Sequence, residues 1–80
     1  MQERVAIIAI LVTNKDSVGK INDILHEYAD YIIGRLGLPY RQKNVNIISI
    51  VLDAPQDKVS ALSGKIGKLE GVTSQTLFSK

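Results

Sequence analysis

Val5-Ala6-Ile7-Ile8-Ala9-Ile10-Leu11-Val12 and Ile47-Ile48-Ser49-Ile50-Val51-Leu52 decide the fold of this chain. Alternate side chains of an extended strand point to opposite sides. Val5, Ile7, Ala9 and Leu11 therefore line one face of the first run, and Ala6, Ile8, Ile10 and Val12 line the other. In the second run Ile47, Ser49 and Val51 oppose Ile48, Ile50 and Leu52. Both runs are apolar on both faces, the signature of central strands covered on two sides. The rest of the chain supplies only two helical segments, and these fit on one side. The other side calls for a partner, most economically a second copy of the same chain in a homodimer or homotetramer.

The remaining elements fall between and after these runs. Asn14–Ser17 is turn and cap material, with Asp16 or Ser17 placed to accept the free amides of a helix start. Val18, Ile21, Leu25 and Tyr28 recur at helical spacing, with Ile24 alongside. The β-branched and aromatic residues Tyr31, Ile32 and Ile33, followed by Gly34 and Gly37, end that helix near Tyr28–Ala29 and start a strand near Tyr31. Pro39 closes the strand, and Arg41–Asn44 is a polar turn. After the second apolar run, Pro55 suits the first position of a helix. Val59, Leu62, Ile66 and Leu69 form the buried stripe of that helix, and Gly71 sits where a left-handed terminator is expected. A last strand of mixed polarity runs over Val72–Ser79. The order strand, helix, strand, strand, helix, strand is the ferredoxin-like split unit. It predicts an α+β, two-layer βαββαβ sandwich, with a four-stranded antiparallel sheet and two helices on one face. Residues 1–80 are read as one such domain.

Composition narrows the function. An 80-residue chain buries only about 60% of its unfolded surface and gains from oligomerisation. The absence of cysteine excludes disulfides, thiol catalysis and thiolate metal sites. It also fits a cytoplasmic location. The apolar run Val5–Val12 is far short of the ~20 residues of a membrane span, and Lys15 and Asp16 follow it where a signal peptide would carry a cleavage site. Neither membrane nor direct nucleic-acid binding is expected: the net charge is only +2, with one Phe, three Tyr and no Trp to stack on bases. His26 is the sole histidine, too few for a metal site, so no metal and no cofactor is expected. Nucleophile–base pairs and clustered acids are absent as well, which argues against an enzyme.

Three further features stand out. Ser60, Gly64, Gly67 and Gly71 share one side of the second helix, where small residues allow close approach to the sheet or to a partner. Lys58, Lys65 and Lys68 form its solvated side or bind an anion, and Arg35, Arg41 and Lys43 flank the second strand, where they blunt an edge against aggregation or bind an acidic ligand or partner. Asp16-Ser17-Val18-Gly19-Lys20-Ile21 places a glycine in the first turn of a helix that directly follows a central strand. That arrangement leaves room for a small anion near helix amides.

This last segment, with Ile24, resembles the opening turn of ACT domains, which are small-molecule-binding modules. Asp16, Gly19, Ile21 and Ile24 match, and Val18 stands where proline is usual. Over its whole length the chain looks closer to a small bacterial family of iron-only hydrogenase system regulators. Leu25-His26, Arg35-Leu36-Gly37 with Pro39 and Arg41, and Ala61-Leu62-Ser63-Gly64-Lys65 with Gly67 and Gly71-Val72 carry that likeness. The chain is also similar to the C-terminal sensing domain of nickel-responsive repressors, a tetramer of the same topology. Those repressors bind nickel through His and Cys around the second strand, whereas Gly34–Asn44 here contains neither. The resemblance implies a regulatory module that binds a small anionic or zwitterionic metabolite near Asn14, Asp16 and Gly19 at a subunit interface and acts through an unidentified protein partner. The competing expectation is an interaction protein that docks through its exposed sheet without a ligand.

Overall fold

A computed structural model describes residues 3–80. The chain runs β1 (Glu3–Val12), α1 (Asp16–Glu27), β2 (Ile32–Tyr40), β3 (Val45–Pro55), α2 (Gln56–Gly67) and β4 (Val72–Phe78). Short 3-10 turns at Ala29–Tyr31 and Arg41–Lys43 lead into and out of β2. The sheet order is β2-β3-β1-β4 with every neighbouring pair antiparallel. The two doubly apolar runs are therefore the central strands, and the fold is the expected ferredoxin-like α+β arrangement.

The pleat settles which face meets the helices. Ala6, Ile8, Ile10 and Val12 of β1 and Ile48, Ile50, Leu52 and Ala54 of β3 are buried. They pack with Ile21 and Leu25 of α1 and with Val59, Leu62 and Ile66 of α2 in one core. Truncating any of these large side chains to alanine should cost about 2–5 kcal/mol.

Local chemistry sets the element ends. Asn44 takes a left-handed conformation with φ 54° after the Arg41–Lys43 turn, as asparagine tolerates. Gly71 takes φ 71° and turns the chain from α2 into β4. At two helix starts the structure corrects the sequence reading. Asp16 opens α1 and Ser17 lies within it, so neither caps it. Asn14 takes that role instead, its Oδ1 accepting the Asp16 N–H at 3.0 Å in an Asx turn. Pro55 ends β3 and immediately precedes α2 in extended conformation rather than occupying the first helical position. The small-residue side of α2 gives close approach only in part. A Cβ on Gly67 would lie 3.3 Å from Ser74 Oγ, whereas one on Gly64 would meet open space.

Candidate functional site

Three surfaces could carry function, and each is built from the ends or the uncovered face of the sheet. The first is the β1–α1 turn. Thr13 donates both its N–H (2.8 Å) and its Oγ1 hydroxyl (3.1 Å) to the Gly71 carbonyl. The buried Ser17 hydroxyl donates to the Glu70 carbonyl at 2.7 Å. These bonds stitch the turn to the α2–β4 corner and explain a buried serine inside an otherwise apolar helix face. Within the turn, Ser17 N–H reaches the Asn14 carbonyl at 3.0 Å and Val18 N–H the Lys15 carbonyl at 3.1 Å. With Asp16 N–H on Asn14 Oδ1, the opening amides of α1 already have acceptors. Gly19 lies beyond them on the exposed side of the helix, and a Cβ there would meet nothing within 4 Å. Asn14, Asp16 and Gly19 are thus close in the chain, but Asn14 faces the Gly71 corner while Gly19 faces solvent.

The second surface is a cleft of about 480 Å³ beside that turn. Its floor is the last helix-side row of the sheet, where Val12 pairs with Asn46 and Asn46 with Pro39. One wall is Thr13 and Lys15 from the β1–α1 turn, and the other is Tyr40, Arg41 and Asn44 from the β2–β3 turn. The helices bury Val12 but leave the Asn46–Pro39 end of this row open, Asn46 half-buried and Pro39 exposed. Sequence reasoning placed Arg41 at the edge of the sheet and missed the cleft. The one available signal was Asn46, the single polar residue in the helix-side series Asn46, Ile48, Ile50, Leu52, Ala54 of β3.

The third surface is the sheet face away from the helices. Cross-strand register builds it from three rows: Gly34–Val51–Ile7–Leu77, Leu36–Ser49–Ala9–Gln75 and Leu38–Ile47–Leu11–Thr73. No charged residue occurs in these rows, although 22% of the chain is charged. Ile7, Leu11, Leu36, Leu38 and Leu77 stand 40–69% exposed. The middle row is small at its centre, Ser49 and Ala9, between bulkier rows on either side.

The other sequence candidates are dispersed. His26 lies beside Arg35 and Asn22 in a shallow depression, where the Arg35 guanidinium donates to Asn22 Oδ1 at 2.9 Å. Among the described residues no group of three or more His, Cys, Asp or Glu could hold a metal ion. Lys65 makes the only ion pair among them, 3.3 Å from Glu27, and its ammonium lies 5.1 Å from the Tyr28 ring centroid. The Tyr28 side chain first, and Glu27 second, hold the Lys65 ammonium above its ordinary value. No described helix is long and apolar enough to cross a membrane.

The comparisons with known proteins agree with this architecture. The TM1266-like family model, described as "Iron-only hydrogenase system regulator, putative", matches residues 4–76. The solved structure of the uncharacterized protein TM1266 from Thermotoga maritima superposes with a TM-score of 0.94 at 35% identity, over 99% of this chain and all of that one. A formyltetrahydrofolate deformylase from Pseudomonas putida KT2440 shares the fold, with a TM-score of 0.67 and 14% identity; 91% of this chain covers 28% of that one. No curated protein matches. With residues 4–76 matched by the family model, and with a solved relative superposing over nearly the whole chain at 35% identity, this chain belongs to the TM1266-like family.

Proposed function

We propose that the chain is a regulatory module without catalytic activity that self-associates through its open sheet face, senses a small anionic or zwitterionic metabolite beside the β1–α1 turn, and passes the change to a protein partner in the hydrogenase system named by its family. One observation carries the reading: the face of three uncharged rows on the side of the sheet away from the helices. Four strands spaced about 4.8 Å apart and some eight residues long give a flat footprint on the order of 500 Å² per copy. Burying it twice reaches the ~1,000 Å² at which a specific interface becomes credible. An exposed apolar patch of this extent marks an interaction surface.

Charge placement favours a second copy as the occupant. Glu3 pairs with Pro55 and Val5 with Asp53 at one end of the sheet, so two acids flank the open face there; Arg4, of the same end, pairs with Ala54 on the helix side, and Lys80 follows β4. Arg41 and Lys43 sit in the β2–β3 turn at the opposite end. A two-fold axis across the strands lays the acidic end of each copy over the basic end of the other, a self-complementary pattern. The resemblance of the Asp16–Ile21 turn to ACT domains supports placing the metabolite beside this turn, at the boundary between such copies.

Light scattering at micromolar concentration tests the assembly. The wild type should have the mass of a dimer or tetramer, and Ile7→Lys should be a folded monomer. A monomeric wild type sinks the assembly. A thermal-shift screen of amino acids and related metabolites tests the sensing: if no compound stabilises the protein, the reading falls back to an interaction protein without a ligand.

A further inference from the structure

We propose that the cleft between the β1–α1 and β2–β3 turns is the metabolite site, and that it takes a small molecule with an oxyanion on an apolar body, the oxyanion held between Lys15 and Arg41. This deepens the sensing reading and rests on it, but it moves the anchoring groups away from Asn14, Asp16 and Gly19.

Four observations converge. The cleft measures about 480 Å³, within the range of small-molecule sites. Its lining carries two cations, Lys15 and Arg41, and no acid. Among the described residues neither cation has an ion-pair partner, and neither side chain is committed to a hydrogen bond; Glu27 pairs with Lys65, far along α1. Asn44 and Asn46 also line the cleft and likewise hold no side-chain partner among the described residues, so four of the lining residues carry uncommitted donors. Val12, Pro39, Tyr40 and Val45 supply an apolar floor and side for a flat or branched body. A guanidinium grips two oxygens at once and an ammonium adds a point charge, a pairing suited to a carboxylate or a phosphate. The opening amides of α1, by contrast, are already bonded within the turn, and nothing encloses the space at Gly19.

Both walls are turns, and the row beneath them, Val12–Asn46–Pro39, is held rigidly by strand pairing. The donors are therefore presented from a fixed base. A fixed base lowers the ordering cost of binding.

Titration calorimetry on the full chain with four probes tests the site. Phenylpyruvate and phenyl phosphate carry the same ring on a carboxylate and on a phosphate, inorganic phosphate has no apolar body, and 2-phenylethanol has no charge. At least one of the two aromatic anions should bind, inorganic phosphate should bind more weakly, and 2-phenylethanol should not bind. Whichever aromatic anion binds more tightly identifies the oxyanion class. Lys15→Ala and Arg41→Ala should each weaken binding at least tenfold, and Gly19→Val should leave it unchanged; melting curves check that all three variants fold. Binding that survives both Lys15→Ala and Arg41→Ala but is lost in Gly19→Val overturns the cleft and keeps the sensing reading, with its site at the helix start. Binding unaffected by all three variants, or equal binding of 2-phenylethanol, also overturns the cleft. If neither these probes nor the metabolite screen yields a ligand, the sensing reading itself fails and takes the cleft with it.

Discussion

Gly71→Ala should be among the most damaging single-methyl changes on the surface of this molecule. Gly71 has φ 71°, a conformation that costs an L-residue about 1–2 kcal/mol. Its new Cβ would also lie 2.7 Å from Asn14 Cβ and 3.0 Å from both Asn14 N and Thr13 Oγ1. Carbon atoms pack at about 3.5–4.0 Å, and two of these three neighbours are backbone or anchored to it. Relief requires the β1–α1 turn to back away, which strains the two bonds from Thr13 to the Gly71 carbonyl. Overpacking of this kind adds about 1–3 kcal/mol. The stiffer unfolded chain returns about 0.4–1 kcal/mol, so the net loss is about 1–4.5 kcal/mol. For a domain of this size each kcal/mol moves Tm by roughly 4–8 °C, giving a drop on the order of 5–35 °C. Urea and thermal melts at one fixed protein concentration measure it, with Gly64→Ala as the control. Gly64 lies within α2 with open space around it, and alanine there should stabilise by about 0.5–1 kcal/mol. A Gly71→Ala variant within 0.5 kcal/mol of wild type would refute the reasoning, because neither the left-handed backbone nor the contact with Asn14 would then be real.

Neighbouring residues of β1 should behave oppositely: Ile8→Lys, which puts a charge where Ile8 is 0% exposed, should cost several kcal/mol and abolish the cooperative melt, whereas Ile7→Lys should keep it and alter only the mass. Stability should be flat in pH around the Lys65 clasp until strongly alkaline conditions. The Lys65 ammonium is held above its ordinary 10.5, so the clasp is fully formed below that value and is lost as pH rises through the higher folded-state value; a Lys65→Met variant, compared by melts from pH 8 to 11.5, should lack that alkaline decline. Finally, ligand and assembly should be linked. Tyr40 and Val45 line the cleft and also continue the open face, so phenylpyruvate or phenyl phosphate, whichever binds, should differ in affinity between the wild type and monomeric Ile7→Lys, and should shift the association constant by the same factor.

The sequence carried the strand order because the two doubly apolar runs admit few other places in a sheet. It left the choice of face open, since Ile7 and Ile8, or Ile47 and Ile48, are equivalent by composition. Helix docking chooses between them, and a one-residue change in the phase of the pleat exchanges the two sets. Helix starts were legible to within two residues for a similar reason. Asn14, Asp16 and Ser17 are all competent caps, and only the contact of Ser17 with the Glu70 carbonyl shows that the serine is needed elsewhere. The cleft had no local pattern to betray it. Its walls come from turns more than twenty residues apart, Thr13–Lys15 and Tyr40–Asn44, joined only by the pairing of Val12 with Asn46 and of Asn46 with Pro39. What the sequence did hold was a polar residue at the end of an apolar series. Asn46 interrupts the helix-side series of β3 where helix cover ends, between the buried Val12 and the exposed Pro39, and a half-open position has no need of another isoleucine. An asparagine there keeps that end of the floor open to water and to a ligand's polar group, while Ile48, two residues on, closes the core.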